Sequence, residues 1–352
     1  MLACVKTENG KLEMMDLPVP EPGPGQIVVK MSLSTICGTD MHFLDEIPNE
    51  ALAIGYPGIV RPEGLPMGHE GVGTVHTVGE SVIGFEPGDR VIASCLTSCG
   101  RCSECLHGDY SVCTGGGTIL TGCQAEYYLV PDANISAAKV PDGITDEEAI
   151  LPTDIMSTGF GAIDRADAGF GDTVAVFAQG PVGLCATAGA AARGCGLIIG
   201  VDTIPERLEM ARRLGADVVI NPEERDPVAE IMALTNNAGV DIAVEAVGTQ
   251  ATFEACNKVV RRGGTISSVG VYGMTPTVSM PTMSMSFLHR RVVSTLCPSG
   301  RDRLEHLLAV LQHRKVELGL LFTHRMKLAE APNAYDLFRD KIEGVLKIAI
   351  TP

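Results

Sequence analysis

Between residues 172 and 296 the chain alternates apolar runs with helix-like stretches, the runs being Thr173–Ala178, Leu197–Val201, Val218–Ile220, Ile242–Val244 and Thr265–Val269. Short, nearly continuous apolar runs suit strands buried on both faces. The rhythm therefore predicts βαβ units and a doubly wound parallel sheet with helices on both sides. The first half reads differently. Residues 1–35 predict short strands joined by turns, with Pro18–Gly25 as a rigid connection. Val72–Val78 alternates as a half-buried strand, and Phe85–Ile92 reads as a turn feeding another, so this part is mainly β. Residues 43–66 read as a loop-rich segment, either a pocket wall or a plain surface excursion. A helix-like run Asp302–His313 and a final strand Val345–Ile350 complete the pattern.

A length of 352 residues is long for one core and points to two domains. The formal charge of -16 and the absence of Trp argue against a nucleic-acid partner, because phosphate would be repelled and bases would find few stacking surfaces. Met1–Lys6 has no long apolar core and is not expected to begin a signal peptide. The Ala/Gly-rich region 182–200 is broken by Arg193, so no membrane span is expected. Twelve Cys in such a chain read as metal ligands and buried thiols before disulfides. A cytoplasmic enzyme acting on neutral small molecules fits these totals.

Candidate chemistry begins at Cys37-Gly-Thr39-Asp-Met-His42, which gathers a thiol, a hydroxyl, a carboxylate and an imidazole. By itself this is either a zinc ligand with a proton path or a buried thiol beside a surface imidazole. Gly68-His69-Glu70-Gly-Val-Gly73 adds nitrogen and oxygen donors of the kind zinc accepts. Cys99, Cys102, Cys105 and Cys113 have the spacing of a closed four-thiolate zinc cage, the alternative being unrelated buried thiols. Cys95 and Cys123 fall outside that pattern and are expected to be free. Asp154 sits in apolar company, where a carboxylate needs a partner or caps a helix.

The first turn of the alternating region is Ala178-Gln-Gly180-Pro181-Val182-Gly183, a dinucleotide fingerprint with Ala178 in place of its first glycine. Gly180 would let backbone approach a pyrophosphate, and the helix start at Pro181 would offer free N–H groups. Asp202, nineteen residues after Gly183, stands where a carboxylate takes both adenosine ribose hydroxyls and repels the extra phosphate of NADP; it could also cap the helix beginning near Pro205.

Together these motifs resemble the zinc-dependent medium-chain alcohol dehydrogenases over nearly the whole length. Leu151–Phe160 and Cys297–Arg301 are most similar to the bacterial secondary-alcohol branch, in which an Asp replaces a Cys ligand of the catalytic zinc. The resemblance implies a GroES-like, mainly-β catalytic domain over residues 1–155, a Rossmann domain over 156–296 and a return segment over 297–352 that completes the first. It implies two zinc ions per subunit. Cys37, His69 and Asp154, with Glu70 as an exchangeable fourth ligand, would hold the catalytic ion, and the four clustered cysteines the structural one. Thr39 would meet the substrate oxygen and His42 would continue the proton relay, leaving Asp40 to hold the turn. Thr158 and Val269-Gly270-Val271 would border the nicotinamide. Asp202 with Arg207 resembles the NAD-dependent members, so NAD is expected ahead of NADP. Members are commonly dimers or tetramers, a tetramer being preferred here.

The expected reaction is hydride transfer between this cofactor and an uncharged secondary alcohol or its ketone. Apolar candidates for the pocket are Phe43, Leu44, Tyr56, Leu96, Met283, Met285 and Leu296, drawn from the segments near 43–66, 95 and 270–297. A polyol or vicinal-diol dehydrogenase is the alternative. A non-catalytic nucleotide-binding protein is a more distant one, which would have lost zinc ligands.

Overall fold

A computed structural model describes residues 1–273, 277–313, 316–340 and 344–352, without the side chains of Met283 and Ser284. The expectation placed on Met283, and that on 274–276 within the pocket segment 270–297, lies outside the described residues. The chain forms two compact units, one of Met1–Ser157 with Cys297–Arg314 and Gly319–Pro352, the other of Thr158–Leu296 with Lys315–Leu318.

The first unit is mainly β. Its larger sheet runs in the order Phe322–Lys327, Lys347–Thr351, Ile27–Thr35, Gly71–Val78, Arg90–Ala93, Ala137–Lys139, with Tyr127–Val130 pairing Ile27–Thr35. Ile27–Thr35 is the hub, since it is paired antiparallel with Lys347–Thr351, Gly71–Val78 and Tyr127–Val130. Ile27, Val29, Tyr128, Ile348 and Ile350 form part of the apolar core beneath it. A second sheet joins Leu12–Asp16, Leu2–Lys6 and Leu65–Pro66.

The second unit carries a six-stranded sheet in the order Val218–Ile220, Leu197–Val201, Thr173–Phe177, Val240–Glu245, Val260–Ser268, Arg291–Ser294, every pair parallel. Strand order reverses at Thr173–Phe177, the switch point at which such sheets bind ligands. The protein is thus α/β, a GroES-like mainly-β unit and a Rossmann unit.

Two elements depart from the sequence reading. Within 43–66 the helix Gly38–Asp45 runs on to its end and a second helix, Asn49–Gly55, follows Pro48. The segment expected to be loop-rich thus also carries helix, which Pro48 permits because a proline just before a helix costs no hydrogen bond. The sixth parallel strand, Arg291–Ser294, was not anticipated. It offers only Val292 and Val293 between polar residues, the pattern of an edge strand. Among the described residues no helix is long and apolar enough to cross a membrane.

Candidate active site and metal centres

Cys37 ends the hub strand's continuation and caps the helix Gly38–Asp45 in an extended conformation. His69 and Glu70 immediately precede the strand Gly71–Val78, which lies beside the hub. Asp154 falls between the short 3-10 turn Leu151–Thr153 and the helix Ile155–Arg165. Three separate segments therefore deliver Cys37, His69, Glu70 and Asp154, whose ligand atoms all lie within 4.8 Å of one another. Asp154 Oδ2 is 3.3 Å from Cys37 Sγ and 3.2 Å from His69 Nε2.

Electrostatics in this cluster are set by burial and charge. Burial, with the nearby Asp154 charge, pushes the Cys37 thiol up to about 11. Burial also raises Glu70, against the pull of Lys347. Burial works the same way on Asp154, but His69 outweighs it and holds this carboxyl well below the usual carboxylate range. The donor set suits zinc: thiol, imidazole and carboxylate are its ordinary ligands. Glu70 Oε2 is buried with no hydrogen-bond partner, an acceptor a cation would satisfy.

Two neighbours were not assigned this part by the sequence reading. Asp40 does hold the turn, accepting the Cys37 N–H at 2.9 Å through Oδ2, but its Oδ1 also lies 3.0 Å from His69 Nδ1. Lys347 donates to Glu70 Oε1 at 2.7 Å and to the Ile36 carbonyl at 3.2 Å. A single charge inside the apolar run Val345–Ile350 was the available signal for it.

Thr39 Oγ1 lies 3.9 Å from Cys37 Sγ. His42 is one turn further along the same helix, partly exposed, with Nδ1 2.9 Å from Glu46 Oε1. Phe43, Leu44 and Leu96 are buried in the apolar core of the unit, with Tyr56 half-buried against it.

Cys99, Cys102, Cys105 and Cys113 form a second group within 4.8 Å. Backbone N–H groups point at the sulfurs, Cys99 N to Cys113 Sγ at 3.3 Å and Arg101 N to Cys99 Sγ at 3.5 Å. The Cys105 N–H draws the Cys102 thiol down to about 6, while burial pushes Cys105 up to about 12. A Cβ on Gly115 would stand 2.5 Å from Cys99 Sγ, so the chain wraps the sulfurs too closely for a side chain there. Four convergent sulfurs fit a closed tetrahedral zinc site.

In the second unit, Gly180 caps the helix Pro181–Ala192, which opens with Pro181, Val182 and Gly183. A Cβ on Gly183 would meet the Ala178 carbonyl at 1.9 Å, whereas one on Gly180 would meet nothing nearer than Arg207 Nη1 at 3.9 Å. Helix and strand are thus packed tightly at Gly183 and open above Gly180, the shape a pyrophosphate needs. Ala178 takes φ +79°, the conformation its missing glycine would hold. Asp202 follows the second strand, accepting Gln179 N–H at 2.6 Å and Ile204 N–H at 2.9 Å, with Arg207 Nη1 4.0 Å away. A carboxylate has about four acceptor sites, so capacity for ribose hydroxyls remains. Val269 and Gly270 donate to the Glu245 carbonyl at 2.9 and 3.1 Å, and Val271 is exposed. Thr158 is a buried residue of the helix Ile155–Arg165.

A GroES-like unit and a Rossmann unit define a class of nicotinamide-dependent oxidoreductases. Comparison with known proteins narrows it. The family described as alcohol dehydrogenase GroES-like domain matches residues 23–142, and that described as zinc-binding dehydrogenase matches residues 181–313. An alcohol dehydrogenase of Cupriavidus necator is 42% identical over 375 residues, covering 100% of this chain and 99% of the relative. The NADP-dependent isopropanol dehydrogenase of Thermoanaerobacter brockii is 33% identical over 348 residues, covering 96% of each. An alcohol dehydrogenase structure from Thermus sp. ATN1 superposes with a TM-score of 0.90 at 33% identity, covering 100% of this chain and 99% of that one. The chain belongs to the zinc-dependent medium-chain alcohol dehydrogenase family. It is an enzyme, an alcohol oxidoreductase that uses zinc and a nicotinamide cofactor on a small-molecule alcohol.

Proposed function

We propose that this enzyme interconverts uncharged secondary alcohols and their ketones, with NAD preferred over NADP. In this reading Cys37, His69 and Asp154 hold the catalytic zinc, Glu70 is its exchangeable fourth ligand, and Cys99, Cys102, Cys105 and Cys113 hold a structural one. The observation that carries it is the Asp154 carboxylate oxygen lying 3.3 Å from the Cys37 thiol and 3.2 Å from the His69 imidazole. Bound there, zinc supplies a Lewis acid and the nicotinamide a hydride acceptor.

The chain's own residues supply the rest. Asp40 fixes the His69 ring by Nδ1 and leaves Nε2 for the ion. The Thr39 hydroxyl, beside Cys37, takes the proton of the substrate alcohol, and the partly exposed His42 passes it to solvent. Gly180, Pro181, Val182 and Gly183 receive the pyrophosphate, Arg207 stands beside it, and Asp202 holds the ribose. Thr158 and Val269, Gly270 and Val271 border the nicotinamide. Preference for NAD rests on Asp202, whose charge opposes a 2′-phosphate, although the isopropanol dehydrogenase of T. brockii is NADP-dependent. That same relative supports a secondary alcohol. Domain limits near 155 and 296, a homo-oligomer with a tetramer ahead of a dimer, and a cytoplasmic setting belong to the same reading. Twelve cysteines, five of them zinc ligands in this reading, support a reducing compartment.

The test is a panel of ketones, aldehydes, secondary alcohols and a vicinal diol assayed with both cofactors, with zinc counted on the same sample. Expected are highest kcat/KM on simple ketones with NADH and loss of that cofactor preference in Asp202→Gly. Better turnover of the diol, or a native preference for NADPH, would overturn the corresponding part. Asp154→Ala retaining full zinc and turnover would remove Asp154 as a ligand.

A further inference from the structure

Two buried cysteines that neither zinc group uses meet beside the proposed active centre. Cys95 Sγ and Cys297 Sγ are 3.4 Å apart although 202 positions separate them. With an Asp154 carboxylate oxygen they form a third set of donors within 4.8 Å of one another, all three residues buried. Two thiols and a carboxylate leave one position open for water in a tetrahedral arrangement.

Both thiols are fixed by backbone bonds that flank Asp154. Cys95 N–H donates to the Thr153 carbonyl at 3.0 Å, and the Cys95 carbonyl accepts Leu120 N–H at 2.7 Å. The residue after Cys297 is tied through its carbonyl to the Ser157 hydroxyl, and Arg303 holds the Ser157 carbonyl at 3.1 Å. Cys297 Sγ itself lies 3.6 Å from the Asp154 carbonyl. Ligands locked by such supports need little rearrangement to receive an ion.

We infer that Cys95, Cys297 and Asp154 form a second cation site, selective for a thiophilic divalent ion such as zinc or cadmium and contiguous with the first through the shared Asp154 carboxylate. Soft sulfur donors choose such ions over magnesium or calcium. Binding breaks two S–H bonds, forms two metal–sulfur bonds and delivers two protons to the buffer. The charge balance permits both ions. Filling the second site exchanges two thiol protons for one divalent ion, so that step adds no net charge beside Cys37, Asp40, Glu70, Asp154 and Lys347. The inference rests on the proposed function only in sharing Asp154.

The experiment uses the enzyme as isolated, kept reduced with a phosphine and incubated with excess cadmium, then desalted. Zinc plus cadmium per chain is counted, and the ultraviolet thiolate-to-cadmium band is recorded. The native enzyme is expected to hold one more ion per chain than the Cys95→Ala/Cys297→Ala variant, with a correspondingly stronger band. Equal totals and equal bands overturn the site. Should the double variant fail to fold by circular dichroism, Cys95→Ser carries the same comparison with nearly unchanged side-chain volume. Cys37→Ala, run alongside, is expected to lose an ion yet keep the increment that depends on Cys95 and Cys297; loss of that increment would overturn an independent site. If Cys37→Ala loses no ion while the increment persists, the proposed active centre fails and this second site stands.

Discussion

Asp40 lies against His69 in the proposed active centre, its Oδ1 3.0 Å from His69 Nδ1, while its Oδ2 accepts the Cys37 N–H at 2.9 Å. One carboxylate thus orients two of the candidate ligands. Replacing Asp40 by Asn leaves a group that cannot serve both partners as an anion. Zinc affinity should fall about 10–100-fold, as for other residues that orient metal ligands. Competition against a chromophoric chelator measures it, and an unchanged affinity would refute the orienting role.

Lys347 and Glu70 are both fully buried and 2.7 Å apart. Removing one partner of such a pair leaves a buried charge uncompensated, at a cost of about 3–5 kcal/mol. Lys347→Met should therefore lower stability by that order in urea unfolding followed by circular dichroism. Adding Glu70→Gln should recover part of the loss. Two additive losses would mean the pair is not coupled.

Ala178 occupies φ +79°, which costs an L-residue about 1–2 kcal/mol. Ala178→Gly removes that strain but adds about 0.4–1 kcal/mol of chain entropy to the unfolded state. The balance lies between about 0 and a gain of about 1.6 kcal/mol, seen as a rise of up to about 6 °C in Tm. A fall in Tm would show that the Ala178 methyl contributes packing greater than its strain.

Cys105→Ser should remove one zinc per chain and loosen the segment wrapped around the sulfurs. Arg101 is exposed within that segment, so limited trypsin digestion should cut there in the variant before it does in the native enzyme. Intact zinc content with unchanged digestion would exclude the cage.

Asp241 ties two strands of the second unit, accepting Thr173 N–H at 2.8 Å and Thr173 O–H at 2.7 Å, and it pairs with Arg261. Burial raises its carboxyl, but the Thr173 bonds and Arg261 prevail and lower it below 3.8. The folded state then binds fewer protons than the unfolded one. Its contribution is present above pH 3.8 and is lost as pH falls through the lower folded value. Asp241→Asn should flatten the acid limb of the stability profile below that pH and leave its shape near neutrality unchanged. An acid limb as steep as the native one would refute the contribution.

What could be read from the chain was what the chain keeps close together. Leu197–Val201 and Val218–Ile220 are buried on both faces, so their apolar runs were nearly continuous, and the four cage cysteines fall between 99 and 113. The Lys347–Glu70 pair spans 277 positions and the Cys95–Cys297 contact 202, and no local pattern encodes such meetings. Asn49–Gly55 was hidden by its length of seven residues, too short for a helical period to stand out. Arg291–Ser294 was hidden for a different reason. As an edge strand with only two apolar residues, it lacks the buried run that marked its neighbours.

The strand Lys347–Thr351 pairs with Ile27–Thr35 and also supplies the ammonium group that faces Glu70. A ribosome making this chain must therefore finish nearly all of it before the first unit can close its main sheet. The second unit, drawn almost wholly from the intervening segment, is free to fold earlier. Synthesis order thus places closure of the first unit's main sheet, and with it the meeting of Lys347 and Glu70, at the very end of translation.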